Sequence, residues 1–125
     1  MEFNKGKSIF LQIADLIIAH ILKKTWAAED KIPSVRELAV ELQVNPNTVM
    51  RTYSYLQEKD IIYNKRGLGF FIGEKAISQA QTLKKKEFTE VELPEIFKAM
   101  DVLNISMAEL EKIYSGHTKP NHPKK

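Results

Sequence analysis

The feature that most constrains this chain is a four-residue turn, Gln43-Val44-Asn45-Pro46, set between two short amphipathic stretches. Asn45 carries the short polar side chain that caps a helix start. Pro46 suits the first helical position, where a missing N–H costs nothing. The turn therefore opens a helix over about 46–59 with Val49, Thr52, Tyr53 and Leu56 facing inward. Upstream, Ser34 and Glu37 have the spacing of a capping box, and Val35, Leu38, Ala39 and Leu42 form the buried stripe of a helix over about 34–43.

A longer helix precedes these, over residues 8 to about 25, with Ser8 as N-cap and Lys23-Lys24 in a last turn that favours cations. Ile9, Ile13, Leu16 and Ile17 set its stripe, and Phe10, Ile18 and Leu22 widen it beyond one face. Such a helix touches two neighbours, one the core and the other a domain or subunit contact. Residues 26–33 connect it to the next helix. Downstream, Ile61–Asn64 and Phe70–Gly73 read as strands joined by Lys65-Arg66-Gly67-Leu68-Gly69, with two permissive glycines. The order is helix, helix, tight turn, helix, hairpin. That is a mainly α fold: a winged helix-turn-helix of three helices and a two-stranded wing, over residues 1–75.

Residues 76–115 read as a small helical region. Leu93, Ile96, Phe97, Met100 and Leu103 form one stripe, Pro94 marks a kink or a helix start, and Ser106 and Glu109 are spaced to cap a last helix carrying Met107, Leu110, Ile113 and Tyr114. Left uncovered, the apolar stripe of 93–114 would lie open to water, so burial against a partner or the first helix is needed, and a C2 homodimer is expected. Two helices are too few to enclose a ligand pocket within one subunit, so an effector site would fall at the dimer interface, its ligand unknown. Residues 116–125 are polar with two prolines and read as a flexible tail.

Composition narrows the chemistry. There is no Cys, which excludes disulfides, thiolate zinc sites and a thiol nucleophile. His20, His117 and His122 lie outside the motif-bearing region, so no catalytic residue, metal site or cofactor is expected. No long uncharged apolar run spans a membrane, and Met1–Lys5 lacks the layout of a secretory signal, so a cytoplasmic protein is expected. The formal charge is only +3, with a net +2 in residues 1–75 and +1 in the remainder. Any basic surface must come from placement.

Reading DNA in the major groove needs a helix whose first turns carry short polar side chains and a basic one. Asn47, Thr48 and Arg51 supply them on one face, with Tyr55 a turn further on. Arg51 can grip guanine or clamp a phosphate, and Asn47 can pair with an adenine edge. Ser34 and Arg36 open the second helix, where backbone contacts are usual. Lys65 and Arg66 project from the wing beside Gly67. Lys84-Lys85-Lys86 reads as a solvated face and Trp26 as filler at a domain junction. The second reading is a winged-helix module that binds protein and not DNA, for which the modest net charge speaks.

Three stretches carry a family resemblance: Ile32–Ala39, Val44–Tyr53 and Gly67–Ile72. Together they resemble the GntR family of bacterial transcription regulators, and its short YtrA-type branch most. The resemblance implies a dimeric, repressor-like protein on a palindromic operator, with a two-helix C-terminal dimerisation part similar to residues 76–115. It implies DNA contacts from Ser34, Arg36, Asn45, Asn47, Thr48, Arg51 and Gly67. The chain departs from the family where Glu29 and Asp60 stand in place of glycines and Thr52 in place of a small Ala.

Overall fold

The computed structural model describes residues 6–117. The chain divides into two compact units between Lys84 and Lys85. Three helices open the first: α1 Ile9–Leu22, α2 Val35–Leu42 and α3 Pro46–Glu58. A hairpin follows, β1 Ile62–Lys65 and β2 Gly69–Ile72, and then α4 Ala76–Glu87.

α1 ends at Leu22, with the last residue of its apolar pattern and short of the expected end near residue 25. Lys24 turns left-handed at φ 64°, and the amides of Thr25 and Trp26 both donate to the His20 carbonyl, closing the helix. Lys23 and Lys24 thus fall past the last turn. Ser8 holds the N-cap position, but its hydroxyl caps nothing; its carbonyl accepts from the amides of Leu11 and Gln12 instead. α2 has the expected capping box: the Glu37 amide donates to Ser34 Oγ at 3.1 Å, and the Ser34 amide to Glu37 Oε1 at 2.9 Å. Gln43, left-handed at φ 58°, ends it. In the next turn the Asn47 amide donates to Asn45 Oδ1 at 2.7 Å, with Pro46 opening α3.

The strands pair antiparallel, Ile62 with Ile72 through Lys65 with Gly69, one residue later on β1 and earlier on β2 than the apolar runs alone indicate. The connector is more than a spacer. Lys31 bridges Phe71, the Glu29 amide donates to the Ile72 carbonyl at 2.8 Å, and the Ile32 amide to the Phe70 carbonyl at 3.0 Å. β2 is therefore paired on both edges. Glu29 and Asp60 do occupy the left-handed region, at φ 72° and 60°, the conformation for which glycine is usual. Gly73 meets a different constraint: a Cβ there would stand 3.1 Å from the Asp60 carbonyl oxygen and 3.2 Å from that of Ile61.

The core joins Ile13, Ile17, Ile18 and Ile21 of α1 to Leu38 and Ala39 of α2 and Val49, Tyr53 and Leu56 of α3, with Ile32, Ile61, Ile62 and Ile72 closing it. Each fully buried aliphatic contributes about 1.5–3 kcal/mol. Tyr53 donates its hydroxyl to the Pro33 carbonyl at 2.6 Å and meets Phe70 edge-on at 4.8 Å. Burial, with the charges of Glu37 and Glu41 nearby, pushes its phenol well above the usual tyrosine range. Thr52, fully buried, donates to the carbonyls of Phe10 at 2.8 Å and Thr48 at 3.1 Å, so the hydroxyl that a family Ala would lack ties α3 to the first turn of α1.

The compact first unit reaches Lys84, not residue 75. Ala76 and Ala80 are buried in its core, Ile77 and Leu83 pack on it, and Lys84 pairs with Asp15 of α1 at 3.1 Å. α1 thus gains its second neighbour inside this unit. Trp26 also belongs here. It stacks on His20 at 4.6 Å and lines a cleft of about 310 Å³ with Ile21, Ile72, Ala76 and Ile77, so it does not fill a junction between domains.

In the second unit a π-helical turn, Phe88–Glu92, leads into α5 Leu93–Leu103, and the Leu93 amide donates to the Phe88 carbonyl five residues back. Pro94 accounts for it: its ring cannot tolerate the carbonyl four residues earlier, and a wider turn moves that carbonyl aside. Left-handed Asn104 ends α5, and Ser106 Oγ accepts the Glu109 amide at 3.1 Å to start α6 Met107–His117. α6 takes in Ser115–His117, so the expected tail cannot begin at 116; residues 118–125 and His122 lie outside the described part. Of the apolar residues here only Met100 is buried, while Phe97, Leu103, Met107, Ile113 and Tyr114 are exposed.

Candidate nucleic-acid interface

All nine residues singled out from the sequence lie in the first unit, and all but half-buried Thr48 are exposed. α3 explains why. Its Val49, Thr52, Tyr53 and Leu56 side is wholly buried, which turns Asn47 and Arg51, one helical turn apart, to the outside. Asn45 commits its carbonyl oxygen to the cap and keeps its amide group. Ser34 likewise commits an acceptor lone pair to Glu37, leaving its O–H to donate elsewhere.

The cations are unspent. Arg36, Arg51, Lys65 and Arg66 have no carboxylate partner among the described residues. Arg51 instead lies over the ring of Phe10, 4.1 Å from its centroid. Lys65 lies 4.6 Å from the Phe71 centroid and 6.0 Å from that of Tyr63, so the wing's own aromatics carry its ammonium. Arg66 and Gly67 form the tip; Gly67 sits at φ 79° with open space around it. Glu29 accepts a short hydrogen bond from the Tyr63 hydroxyl, which raises that phenol's pKa.

Two contributors escape a reading of the sequence. Lys31 runs along the wing, its Cε 3.2 Å from where a Gly69 Cβ would be, and adds a cation beside Arg66's hairpin. The alternation of Lys31 with buried Ile32 is the signal that could have found it. Phe10 is the second, brought to Arg51 only by the packing of α1 on α3. Tyr55, half-buried, meets Phe10 edge-on at 6.0 Å and has Lys59 at 5.6 Å, so it serves packing. Lys84 is paired with Asp15, whereas Lys85 and Lys86 are solvated. Among the described residues no cluster of metal-ligating side chains forms, and no helix is long and apolar enough to cross a membrane.

Comparison with known proteins bears on this arrangement. The profile of the gntR family of bacterial regulatory proteins matches residues 10–72, from the first turn of α1 to the end of β2. An HTH-type transcriptional regulator of Bacillus subtilis, YhcF, is 42% identical over 109 residues, covering 87% of this chain and 88% of that protein. The transcriptional repressor YtrA of the same species is 41% identical over 70 residues, 56% of this chain and 51% of its own length. A GntR-family regulator of Bacteroides thetaiotaomicron superposes with a TM-score of 0.76 at 45% identity, covering 88% of this chain and 96% of that one. The outward polar face of α3, the capped turn before it and the glycine-tipped wing thus sit in a shared framework, and the chain belongs to the gntR family of bacterial regulatory proteins, as a winged-helix transcription regulator of the YtrA type.

Proposed function

We propose that the chain represses transcription by binding a palindromic DNA operator as a homodimer in the cytoplasm. In this reading α3 enters the major groove, where Asn47, Thr48 and Arg51 meet base edges and Asn45 a neighbouring phosphate. Ser34 and Arg36 fix the register on the backbone, and Lys65, Arg66 and Gly67 bring the wing to the minor groove or its phosphates. The observation that carries the reading is the division of α3: an apolar side with no exposure at Val49, Tyr53 and Leu56, and an outward side whose arginine has no acidic partner among the described residues.

The dimer is supported by the second unit. Phe97, Leu103, Ile113 and Tyr114 are between 45% and 66% exposed, more apolar surface than a lone helical pair leaves to water. Two subunits contributing Arg36, Arg51, Lys65 and Arg66 would release about 6–8 counterions, and repression follows from occupancy of the promoter. The relatives named above are an HTH-type transcriptional regulator and a transcriptional repressor.

Selection of bound duplexes from random DNA tests the proposal, followed by anisotropy titration at two salt concentrations. A two-fold symmetric site and a steep salt dependence are expected, and Arg51→Ala should cost about 1–3 kcal/mol at that site. Failure to enrich any duplex would reject DNA binding in favour of a protein-interaction module.

A further inference from the structure

We propose that Phe10, in the first turn of α1, is a positioning residue for Arg51: it holds the guanidinium of this second-turn residue of α3 ready before DNA arrives. The inference rests on the reading of Arg51 as a DNA-contacting residue. Cζ of Arg51 lies 4.1 Å from the centroid of the Phe10 ring, and the ring is itself held in place. Thr52 Oγ1 donates to the Phe10 carbonyl at 2.8 Å, and Tyr55 meets the ring at 6.0 Å with planes inclined by 74°. Arg51 and Tyr55 of α3 thus meet the ring, and Thr52 fixes the backbone of the same residue.

The chemistry of the platform suits the task. An arginine loses most of its rotamer freedom when it meets a base, and one already laid against a ring has less to lose. The ring quadrupole attracts the cation but accepts none of its N–H groups in the way an oxygen would, so the guanidinium's donors stay available. A carboxylate in the same place would orient Arg51 equally well, but it would consume those donors and cancel the charge that DNA attracts. Phe10 orients without competing.

Anisotropy titrations of the full chain against the best selected duplex, and against a scrambled duplex of equal length, test this in a double-mutant cycle. Phe10→Leu should weaken binding to the selected duplex by about three- to tenfold. Phe10→Tyr, which restores a ring, should stay within about twofold of the parent chain, as should Phe10→Leu on the scrambled duplex. In an Arg51→Ala background Phe10→Leu should add less than about twofold. An equal loss in both backgrounds, or no loss in either while Arg51→Ala weakens binding, overturns the role of Phe10 and leaves Arg51 as a reader. An inert Arg51→Ala overturns both. Urea midpoints accompany every variant; if Phe10→Leu unfolds the chain, Phe10→Met, similar in volume and without a ring, takes its place in the cycle with the same expected losses.

Discussion

α3 and α5 share a first-turn proline and an apolar side, and finish differently. Each spans about three turns. On α3 that side is closed by α1, α2 and the hairpin, and Val49, Tyr53 and Leu56 have no exposure. On α5 only Met100 is buried, and Phe97 and Leu103 remain open. An amphipathic helix needs a partner for its apolar face. Where the chain supplies the partner, the polar side is left as working surface. Where it does not, the apolar side is itself the surface available for use.

The sharpest way to break this contrast is to damage both helices equally. Leu56→Ala should lower stability by about 2–5 kcal/mol in urea unfolding, because the closed core cannot collapse around the cavity. Phe97→Asp should leave that transition at low protein concentration nearly unmoved and, if the proposed homodimer forms through this face, shift sedimentation from dimer to monomer. If Phe97→Asp instead unfolds the first unit, the two helices do not differ as described. Next in size is Tyr53→Phe, which removes the bond to the Pro33 carbonyl and should cost about 1 kcal/mol at neutral pH. The folded phenol titrates above the unfolded one, so its stabilisation is complete below about pH 10 and is lost as pH rises further. The variant should therefore show a shallower alkaline fall in thermal midpoint. The smallest effect is expected at the wing tip: Arg66→Ala should reduce the salt slope of DNA binding by about 1 without changing the preferred sequence.

What could be read from the sequence was local. The Ser34–Glu37 box and the Asn45-Pro46 start involve atoms a few residues apart, so their spacing is enough to write the hydrogen bonds down in advance. Asn47 and Arg51 follow from the helical period once α3 is placed. What escaped was non-local or permissive. The alternation of Lys31 with Ile32 hints at an extended segment but does not name Phe71 as its partner, and nothing near Phe10 announces Arg51, which lies two helices further along the chain. Ala76 and Ala80 are too small to declare burial, so their pattern places the end of the first unit before α4. Ser8 has the right chemistry for a cap, yet its hydroxyl is not used.

The tight approach at Gly73 has a consequence for how this chain can vary. The obstacles to a side chain there are carbonyl oxygens of Asp60 and Ile61, main-chain atoms that no rotamer change can move. Even alanine would need those carbonyls to give by a few tenths of an ångström. In a library of random variants this position should therefore favour glycine, with tolerance falling as the side chain grows.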